Sequence, residues 1–204
     1  MQPRIECFFD CSSPWTYLGF EGLLELSERH GLQIHWRPFL VGGVFNSVNP
    51  SVYEQRRAPV PAKAAYAVKD LADWAEMRGL IIGQPTVFPV NSVKAMRGAF
   101  LAEQEGLLVP YARAVFQAYW SRLEDIGQAE VLLGIVHEVG LDAARFQDWV
   151  DSDEARQALR DNTDELIARG GFGSPTFFVD GSDMYFGNDR LPLLEHRITR
   201  ARSS

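Results

Sequence analysis

Cysteine is scarce in this chain of 204 residues, which contains only Cys7 and Cys11. The two lie four positions apart near the N-terminus, too close to cross-link a domain, and no further zinc ligands accompany them. In a reducing compartment such cysteines are typically small, buried, apolar side chains. The sequence therefore predicts neither a disulfide framework nor a metal site.

Long apolar runs, low-complexity stretches and basic clusters are also missing. Hydrophobic residues make up 46% and charged residues 23%, as in ordinary globular proteins, and no segment could span a membrane. The 27 acidic residues outnumber the 20 Lys and Arg, giving a net charge of −7 and no basic patch for nucleic acid. The first residues do not resemble a secretory signal. We therefore expect a cytoplasmic protein without nucleic-acid or membrane partners.

Strand signals are concentrated at the two ends of the chain. The N-terminal pattern predicts a strand, a helix and a second strand at residues 4–10, 15–30 and 32–37. A crossover of this length makes the two strands parallel. The C-terminal pattern predicts a strand, a hairpin turn, a returning strand and a helix at residues 176–179, 180–181, 184–186 and 188–201.

Between these ends the apolar pattern is helical. It predicts five helices, at residues 64–78, 92–105, 111–123, 129–139 and 153–169. The β-α-β opening and the β-β-α ending thus bracket a helical block of about a hundred residues. The sequence predicts an α/β domain formed by residues 1–61 and 170–204, with an all-helical insertion at residues 62–169.

Ser13 stands at the start of the first predicted helix, directly before Pro14. A serine before a proline is a typical helix start, so Ser13 is explained as an N-cap. Alternatively, its hydroxyl and the positive helix end together bind an anion. A nucleophilic role is disfavoured because there is no GxSxG motif and no marked histidine partner.

Two further motifs lie near the C-terminus. Ser174 and Pro175 separate a glycine-rich turn from an apolar strand, which indicates either an edge strand or a cis peptide presenting its backbone to an extended ligand. Asn188 and Asp189 open the last predicted helix, where they serve as a cap and a dipole partner. The same pair could instead bind the carboxylate and ammonium ends of an amino-acid moiety.

Five ordered blocks along nearly the whole chain resemble one family. They read FFDCSSPWTYLGFE, RPFLVGGVFN across the second strand and the following loop, PAKAAYAVKDLADWAE, YWSRLEDIG, and GGFGSPTFFVDG with FGNDRL. These blocks resemble the kappa-class glutathione transferases and the 2-hydroxychromene-2-carboxylate isomerases of the thioredoxin-like superfamily. Related disulfide oxidoreductases carry Cys-x-x-Cys in the first block. Here Ser13 and Thr16 stand in those places, which excludes dithiol oxidation by that route.

The resemblance implies a thioredoxin-like fold, a homodimer and a glutathione site. Ser13 would hold the glutathione sulfur as a thiolate. Ser174, before a cis Pro175, would pair with the cysteinyl backbone. Asn188 and Asp189 would hold the γ-glutamyl end. A hydroxyl donor and a helix N-terminus are suited to this task, because together they lower a thiol pKa from about 8.5 toward neutrality.

Four more polar residues enter through the same resemblance. Asn49 and Lys63 would face the glycyl end of glutathione or the substrate. An acidic substrate also needs a basic contact, for which Lys63, Lys94 and Arg97 are the candidates. From the residues alone, Asn49, Lys63 and Arg97 are ordinary caps or solvated charges.

The resemblance implies two competing activities. The isomerases interconvert 2-hydroxychromene-2-carboxylate and trans-o-hydroxybenzylidenepyruvate in aromatic catabolism, with glutathione adding reversibly, whereas the transferases conjugate glutathione to an electrophile. FGNDRL looks like the isomerase ending and WSRLEDIG is closer to the transferase form. We favour the isomerase, acting on a small aromatic acid. A non-catalytic glutathione-binding module is the third hypothesis.

Overall fold

The structure is a computed structural model, and it describes residues 3–202. Within these residues the strands are β1 (Ile5–Phe9), β2 (Ile34–Pro38), β3 (Thr176–Val179) and β4 (Asp183–Phe186). They form one mixed sheet in the order β2-β1-β3-β4. β1 is parallel to β2 and antiparallel to β3, which is antiparallel to β4. The predicted parallel pair and the C-terminal hairpin are confirmed.

Ten α-helices lie within residues 3–202. They are α1 (Pro14–His30), α2 (Val41–Val48), α3 (Ser51–Arg57), α4 (Pro61–Met77), α5 (Val93–Gln104), α6 (Leu108–Phe116), α7 (Ala129–Val139), α8 (Ala143–Val150), α9 (Asp153–Ala168) and α10 (Leu191–Arg202). A π-helical turn extends α6 over Gln117–Ser121, and a 3-10 turn, Asn188–Arg190, precedes α10. None of these helices has the length and hydropathy to cross a membrane.

Three helices were not predicted from the sequence, and α6 begins three residues before its predicted start at residue 111. The stretch after β2 was expected to be a loop, but it contains α2 and α3. α8 was not predicted either. All three are only seven or eight residues long, and the first turn of α2 contains Gly42 and Gly43, which are poor helix formers. Tertiary packing therefore outweighs the weak local preference in this part of the chain.

The start of α1 has the local chemistry that the sequence indicates. The Ser13 Oγ accepts a hydrogen bond from Thr16 N at 3.3 Å, and Pro14 occupies the first helical position. At the other end Gly31 has a φ of 59°, and its amide donates to Glu28 O. The helix is therefore fixed at both ends, and its N-terminus lies directly after β1.

One hydrophobic core joins the sheet to the helical block. The Phe20 ring of α1 lies 4.5 Å from Trp36 of β2 and 5.3 Å from Phe116 of α6, measured between centroids. Trp120 Nε1 donates to Cys11 O at 2.9 Å. The helical block therefore packs directly on the strand-turn-helix unit. The division of the chain at residues 61/62 and 169/170 stays a prediction.

Gly19 marks a close approach between α1 and the loop before β3. A Cβ at this position would lie 2.7 Å from Pro175 Cγ and 3.3 Å from Phe177 Cζ. We expect Gly19→Ala to lower the free energy of unfolding by about 1–3 kcal/mol, because the rigid proline ring and the buried phenylalanine must move. Urea denaturation measures this change.

The matched control is Gly134→Ala in α7, where an added Cβ meets nothing within 4 Å. Alanine is the better helix former, so this variant should gain up to about 1 kcal/mol. Equal unfolding midpoints for Gly19→Ala and the wild type would show that α1 can move away from Pro175 at no cost.

Candidate active site

A cleft of about 590 Å³ opens at one edge of the sheet. β1 and β2 both end at this edge because they are parallel. β3 begins there because it is antiparallel to β1, with Phe8 opposite Thr176. The lining comes from the turn after β1, the start of α2, α3, and the segments around residues 88–93 and 172–174. Segments distant in sequence thus meet in one place.

Ser13 and Ser174 both line this cleft. The Ser174 Oγ accepts hydrogen bonds from Asp10 N at 3.2 Å and from Thr16 Oγ1 at 2.7 Å. The Ser13 Oγ accepts from Thr16 N. No described residue accepts a hydrogen bond from either hydroxyl, and a hydroxyl carries one proton besides its two acceptor sites. Both serines can therefore donate to a ligand.

The peptide bond between Ser174 and Pro175 is cis, as is the one between Phe88 and Pro89 on another wall of the cleft. The second cis bond was not predicted from the sequence. Its segment supplies Phe88, which is half exposed at the cleft mouth. The two proline segments thus contribute opposite kinds of surface, a serine hydroxyl and an aromatic ring.

Asp10 is a fully buried carboxylate at the base of the cleft. Its Oδ1 accepts from Ser12 N and its Oδ2 from Val41 N, both at 2.9 Å. Burial raises the pKa of Asp10, against the opposing effect of these hydrogen bonds. Asp10 therefore ties the turn before α1 to the start of α2. Sequence reasoning missed it, although an acidic residue directly after an apolar strand was the available signal.

Arg56 supplies positive charge to the cleft and was also missed. Within the described chain it is the only Lys or Arg among the lining residues. Its guanidinium lies 5.2 Å from the centroid of the Phe88 ring and 5.7 Å from that of Phe45. These cation–π contacts orient the charge at the mouth of the cleft. Arg56 belongs to α3, a helix that the sequence did not indicate.

Three of the nine predicted site residues line the cleft, namely Ser13, Asn49 and Ser174. Asn49 ends α2, donates from Nδ2 to Phe172 O at 3.2 Å and accepts from Ser51 Oγ at 2.9 Å. It therefore joins α2 to the glycine-rich loop before β3. Its role toward a ligand stays a prediction.

Three more predicted site residues lie beside the cleft, namely Pro175, Asn188 and Asp189. Gly187 N donates to Pro175 O at 3.0 Å, which places the turn of Asn188 and Asp189 next to the proline. Asn188 is only 3% exposed, and its Nδ2 has no hydrogen-bond partner among residues 3–202. Asp189 pairs with Arg190 at 2.5 Å. An unpartnered buried amide is a donor that a ligand could use.

The remaining three predicted residues lie outside the cleft lining. Lys63 is exposed on the first turn of α4. Lys94 forms an ion pair with Asp151 at 2.9 Å, and Arg97 donates to Val150 O at 2.9 Å. The structure therefore does not bring these three candidates for the basic contact into the cleft, and their role toward a substrate acid stays a prediction. Helical periodicity identified the helices but not the direction in which α5 turns its charged face.

Cys7 and Cys11 are free and buried, as the sequence predicted. Burial raises the pKa of both thiols well above the ordinary value, and for Cys11 the nearby Asp10 adds to the effect. A buried thiol without a cationic neighbour remains protonated and unreactive. Thiolate chemistry in the cleft must therefore come from a bound molecule.

A model of the DsbA-like thioredoxin domain matches residues 4–199. The chain belongs to this family. It is 32% identical over 203 residues to the 2-hydroxychromene-2-carboxylate isomerase of Pseudomonas putida, covering 96% of this chain and 94% of the relative. It is 30% identical over 210 residues to glutathione S-transferase kappa 1 of Rattus norvegicus, covering 96% and 91%.

A solved structure of a 2-hydroxychromene-2-carboxylate isomerase superposes on this DsbA-like protein with a TM-score of 0.81 at 27% identity, over 97% of this chain and 95% of the other. The predicted family, which includes the kappa-class transferases, is therefore confirmed, as is the thioredoxin-like fold with its helical insertion. Both groups of relatives are enzymes.

Asp10 should give this DsbA-like protein a pH-dependent stability. Its raised pKa means that folding favours the protonated carboxyl, so its contribution is full below the ordinary pKa of 3.8 and is lost as pH rises through the raised pKa. Asp10→Asn removes this titration. We expect the wild type to lose stability relative to the variant as pH rises through this window, as measured by urea unfolding at a series of pH values.

The control is Asp148→Asn on the exposed side of α8. A difference between the wild type and Asp10→Asn that stays constant with pH would mean that the buried carboxyl does not titrate differently in the folded and unfolded chains.

Proposed function

We propose that this protein is a glutathione-dependent isomerase that interconverts 2-hydroxychromene-2-carboxylate and trans-o-hydroxybenzylidenepyruvate, or a closely similar aromatic acid. The observation that carries the proposal is the position of Ser13, whose hydroxyl lies at the N-terminus of α1 and faces the same cleft as Ser174. The isomerase relative at 32% identity, which spans 96% of this chain, supports it.

Ser13 is suited to hold the sulfur of glutathione as a thiolate. The 17-residue helix α1 presents the positive end of its dipole at this point, and the Ser13 proton is not used by the protein. A free thiol has a pKa of about 8.5, which a hydroxyl donor and a helix N-terminus both lower. At neutral pH the bound thiolate would then be the reactive species.

The rest of the tripeptide would extend along the loop before β3. Ser174 is fixed by Asp10 and Thr16, so the backbone beside it offers stable hydrogen-bonding groups to the cysteinyl unit. The buried Asn188 amide and the Asp189 carboxylate would bind the γ-glutamyl end. Asn49 at the end of α2, and Lys63 from the exposed start of α4, would face the glycyl end or the substrate.

The cleft mouth supports an aromatic acid as the second substrate. Its walls include aromatic rings at Phe45, Phe88, Phe172 and Phe186. Arg56 could pair with the carboxylate of the substrate, because its guanidinium is already oriented over two of these rings. Arg56 is therefore a further candidate for the basic contact with the substrate acid, beside Lys63, Lys94 and Arg97, and it is the one that lines the cleft.

The reaction needs no change of oxidation state. The hemiketal ring of 2-hydroxychromene-2-carboxylate opens first, because the bond between C2 and the ring oxygen breaks and the proton of the C2 hydroxyl passes to the phenolic oxygen, which gives a conjugated keto acid. The thiolate then adds to a carbon of its double bond, which becomes a single bond and can rotate, and the negative charge moves to the conjugated carbonyl oxygen. The electrons then return, the carbon–sulfur bond breaks, and the thiolate is released unchanged. Glutathione is therefore a cosubstrate that is regenerated. The unpaired cysteines fit a reducing, cytoplasmic compartment in which glutathione is available.

A glutathione transferase is the second candidate function, favoured by the 30% identity to the rat kappa-class enzyme. It would use the same Ser13 site, but the adduct would persist as product. A non-catalytic glutathione-binding module is the third. Assays with 2-hydroxychromene-2-carboxylate and with chlorodinitrobenzene, each with and without glutathione, distinguish the three.

We expect Ser13→Ala to lower kcat/KM for the isomerisation by about ten- to a thousandfold, because one hydrogen bond to the anionic sulfur is lost. The spectral change of the substrate in the presence of glutathione measures this rate. Ser182→Ala, which changes an exposed serine in the turn between β3 and β4, is the matched control.

If Ser13→Ala turns over at the wild-type rate, the Ser13 hydroxyl does not activate the thiol. If the wild type shows the same rate with and without glutathione, the proposed function is wrong.

We also propose that a second copy of the chain covers α4. Ala75 is the only residue of this 17-residue helix that is buried, and large apolar side chains on and around it are exposed, including Val60, Tyr66, Val68, Met77 and Ile81. A surface of this kind typically marks an interface in a globular protein. A homodimer would cover this surface.

Sedimentation equilibrium should therefore give twice the chain mass of 23.0 kDa. Val68→Glu should shift the protein toward the monomer, because a charge would be buried at the interface. Leu193→Glu, an equally exposed apolar residue on α10, should leave the mass unchanged. A wild-type mass of 23.0 kDa at micromolar concentration would contradict the dimer.

A further inference from the structure

A second cavity, of about 330 Å³, lies between α2, α5 and α9. It shares Leu40, Gly43 and Val93 with the wall of the cleft. The two cavities are therefore neighbours, separated by the start of α2 and the start of α5. Nothing in the proposed glutathione site uses the other residues of this second cavity.

Three arginines line the cavity: Arg97 from α5, and Arg156 and Arg160 from α9. The last two are four positions apart and so project from the same side of their helix. One carboxylate, Asp164, is also part of the lining. The cavity therefore concentrates positive charge in a chain whose net charge is −7.

The arginines are not fully neutralised by the protein. Arg156 pairs with Asp153, whose side chain is 98% exposed, and Arg160 donates to the neutral Gln157. Exposed pairs of this kind contribute little. The Arg97 Nε is buried and has no hydrogen-bond partner among residues 3–202. Its Nη1 donates to Val150 O, so the Nε–H is a remaining buried donor that a bound anion could accept from.

The electrostatics agree with this geometry. Burial lowers the pKa of Arg97, the neighbouring charges of Arg156 and Arg160 lower it further, and Asp151 only partly opposes them. The three guanidinium groups therefore repel one another in the absence of a ligand. A bound anion would relieve this repulsion and gain several charge-assisted hydrogen bonds at once.

We propose that this cavity binds the anionic group, phosphate or carboxylate, of a small molecule through Arg97, Arg156 and Arg160. The planar guanidinium fork matches both kinds of oxyanion. Leu159 and Ile167 provide apolar walls for a hydrocarbon part next to the charge. The anionic group belongs either to a substrate that reaches over the wall shared with the cleft or to a separate ligand.

Isothermal titration with inorganic phosphate tests the proposal. The wild type should bind phosphate saturably, and R156Q/R160Q should bind it about tenfold more weakly or worse, because two charged donors are lost. R122Q/R145Q is the matched control, since it removes two arginines that form surface pairs with Glu124 and Glu105 outside the cavity. This control should bind phosphate like the wild type.

The same affinity in R156Q/R160Q and the wild type, or no saturable binding to the wild type, would overturn the proposal. All four substituted side chains are at least partly exposed, so the variants should fold, and thermal unfolding without phosphate verifies this. The titration requires no turnover. Failure of the proposed isomerase function would therefore leave this test unaffected.

A second titration distinguishes the two sources of the anion. Phosphate is titrated in the presence of saturating 2-hydroxychromene-2-carboxylate, for both the wild type and R156Q/R160Q. If 2-hydroxychromene-2-carboxylate weakens phosphate binding to the wild type but not to R156Q/R160Q, the cavity binds the acid group of the substrate. Phosphate binding that is independent of the aromatic acid assigns it to a separate anion.

Discussion

The Ser174 hydroxyl joins the two ends of the chain, and the cleft depends on this connection. It accepts hydrogen bonds from Asp10 N and Thr16 Oγ1, across 164 and 158 residues of sequence. Antiparallel pairing of β3 with β1 brings it there, and the close contact of Gly19 with Pro175 leaves little space for displacement. The helical block lies between these ends in sequence but packs on the same core, since Phe116 contacts Phe20. The cleft therefore forms only when the whole chain is folded, because its lining residues come from segments that are distant in sequence.

Because the chain is acidic overall, an anionic ligand must be attracted by positive and hydrogen-bonding groups close to its binding site. A net charge of −7 disfavours an anion at long range, but salt screens charges beyond about 8–10 Å. Close to a bound ligand, the cleft lining offers the N-terminus of α1, two serine hydroxyls and Arg56. Asp10 carries the opposite charge at the base of the cleft, yet its oxygens are occupied by the amides of Ser12 and Val41. Burial also raises its pKa. The electrostatic field in the cleft therefore depends on a few oriented groups close to the ligand, and the net charge of the chain contributes little.

The sequence predicts those elements whose ends carry specific chemistry. α1 has Ser13 and Pro14 at one end and Gly31 at the other, and its predicted bounds differ from the structure by one residue. α7 ends at Gly140, which has a φ of 80°, and was predicted without error. α2 and α3 lack such signals, and with them Arg56 was missed. Lys94 and Arg97 were predicted to lie on a helix, which is α5, but the sequence could not indicate that they lie outside the cleft lining, because the direction of a helix face depends on packing against α8 and α9. The family resemblance identified Ser13 and Ser174 as partners, which spacing alone could not do.

The hydroxyls of Ser13 and Thr16 stand where the disulfide oxidoreductases carry two thiols, and the two hydroxyls make different hydrogen bonds. The Thr16 hydroxyl is fully buried and donates to Ser174, so it maintains the cleft. The Ser13 hydroxyl uses only its acceptor site in the helix cap, so its proton is left for a ligand. A thiolate bound at Ser13 has no reactive cysteine beside it, because the thiols of Cys7 and Cys11 are buried and their pKa values are raised. Under the proposed function, a thiol bound at Ser13 would therefore form no mixed disulfide with Cys7 or Cys11, and its sulfur would be available for addition to carbon.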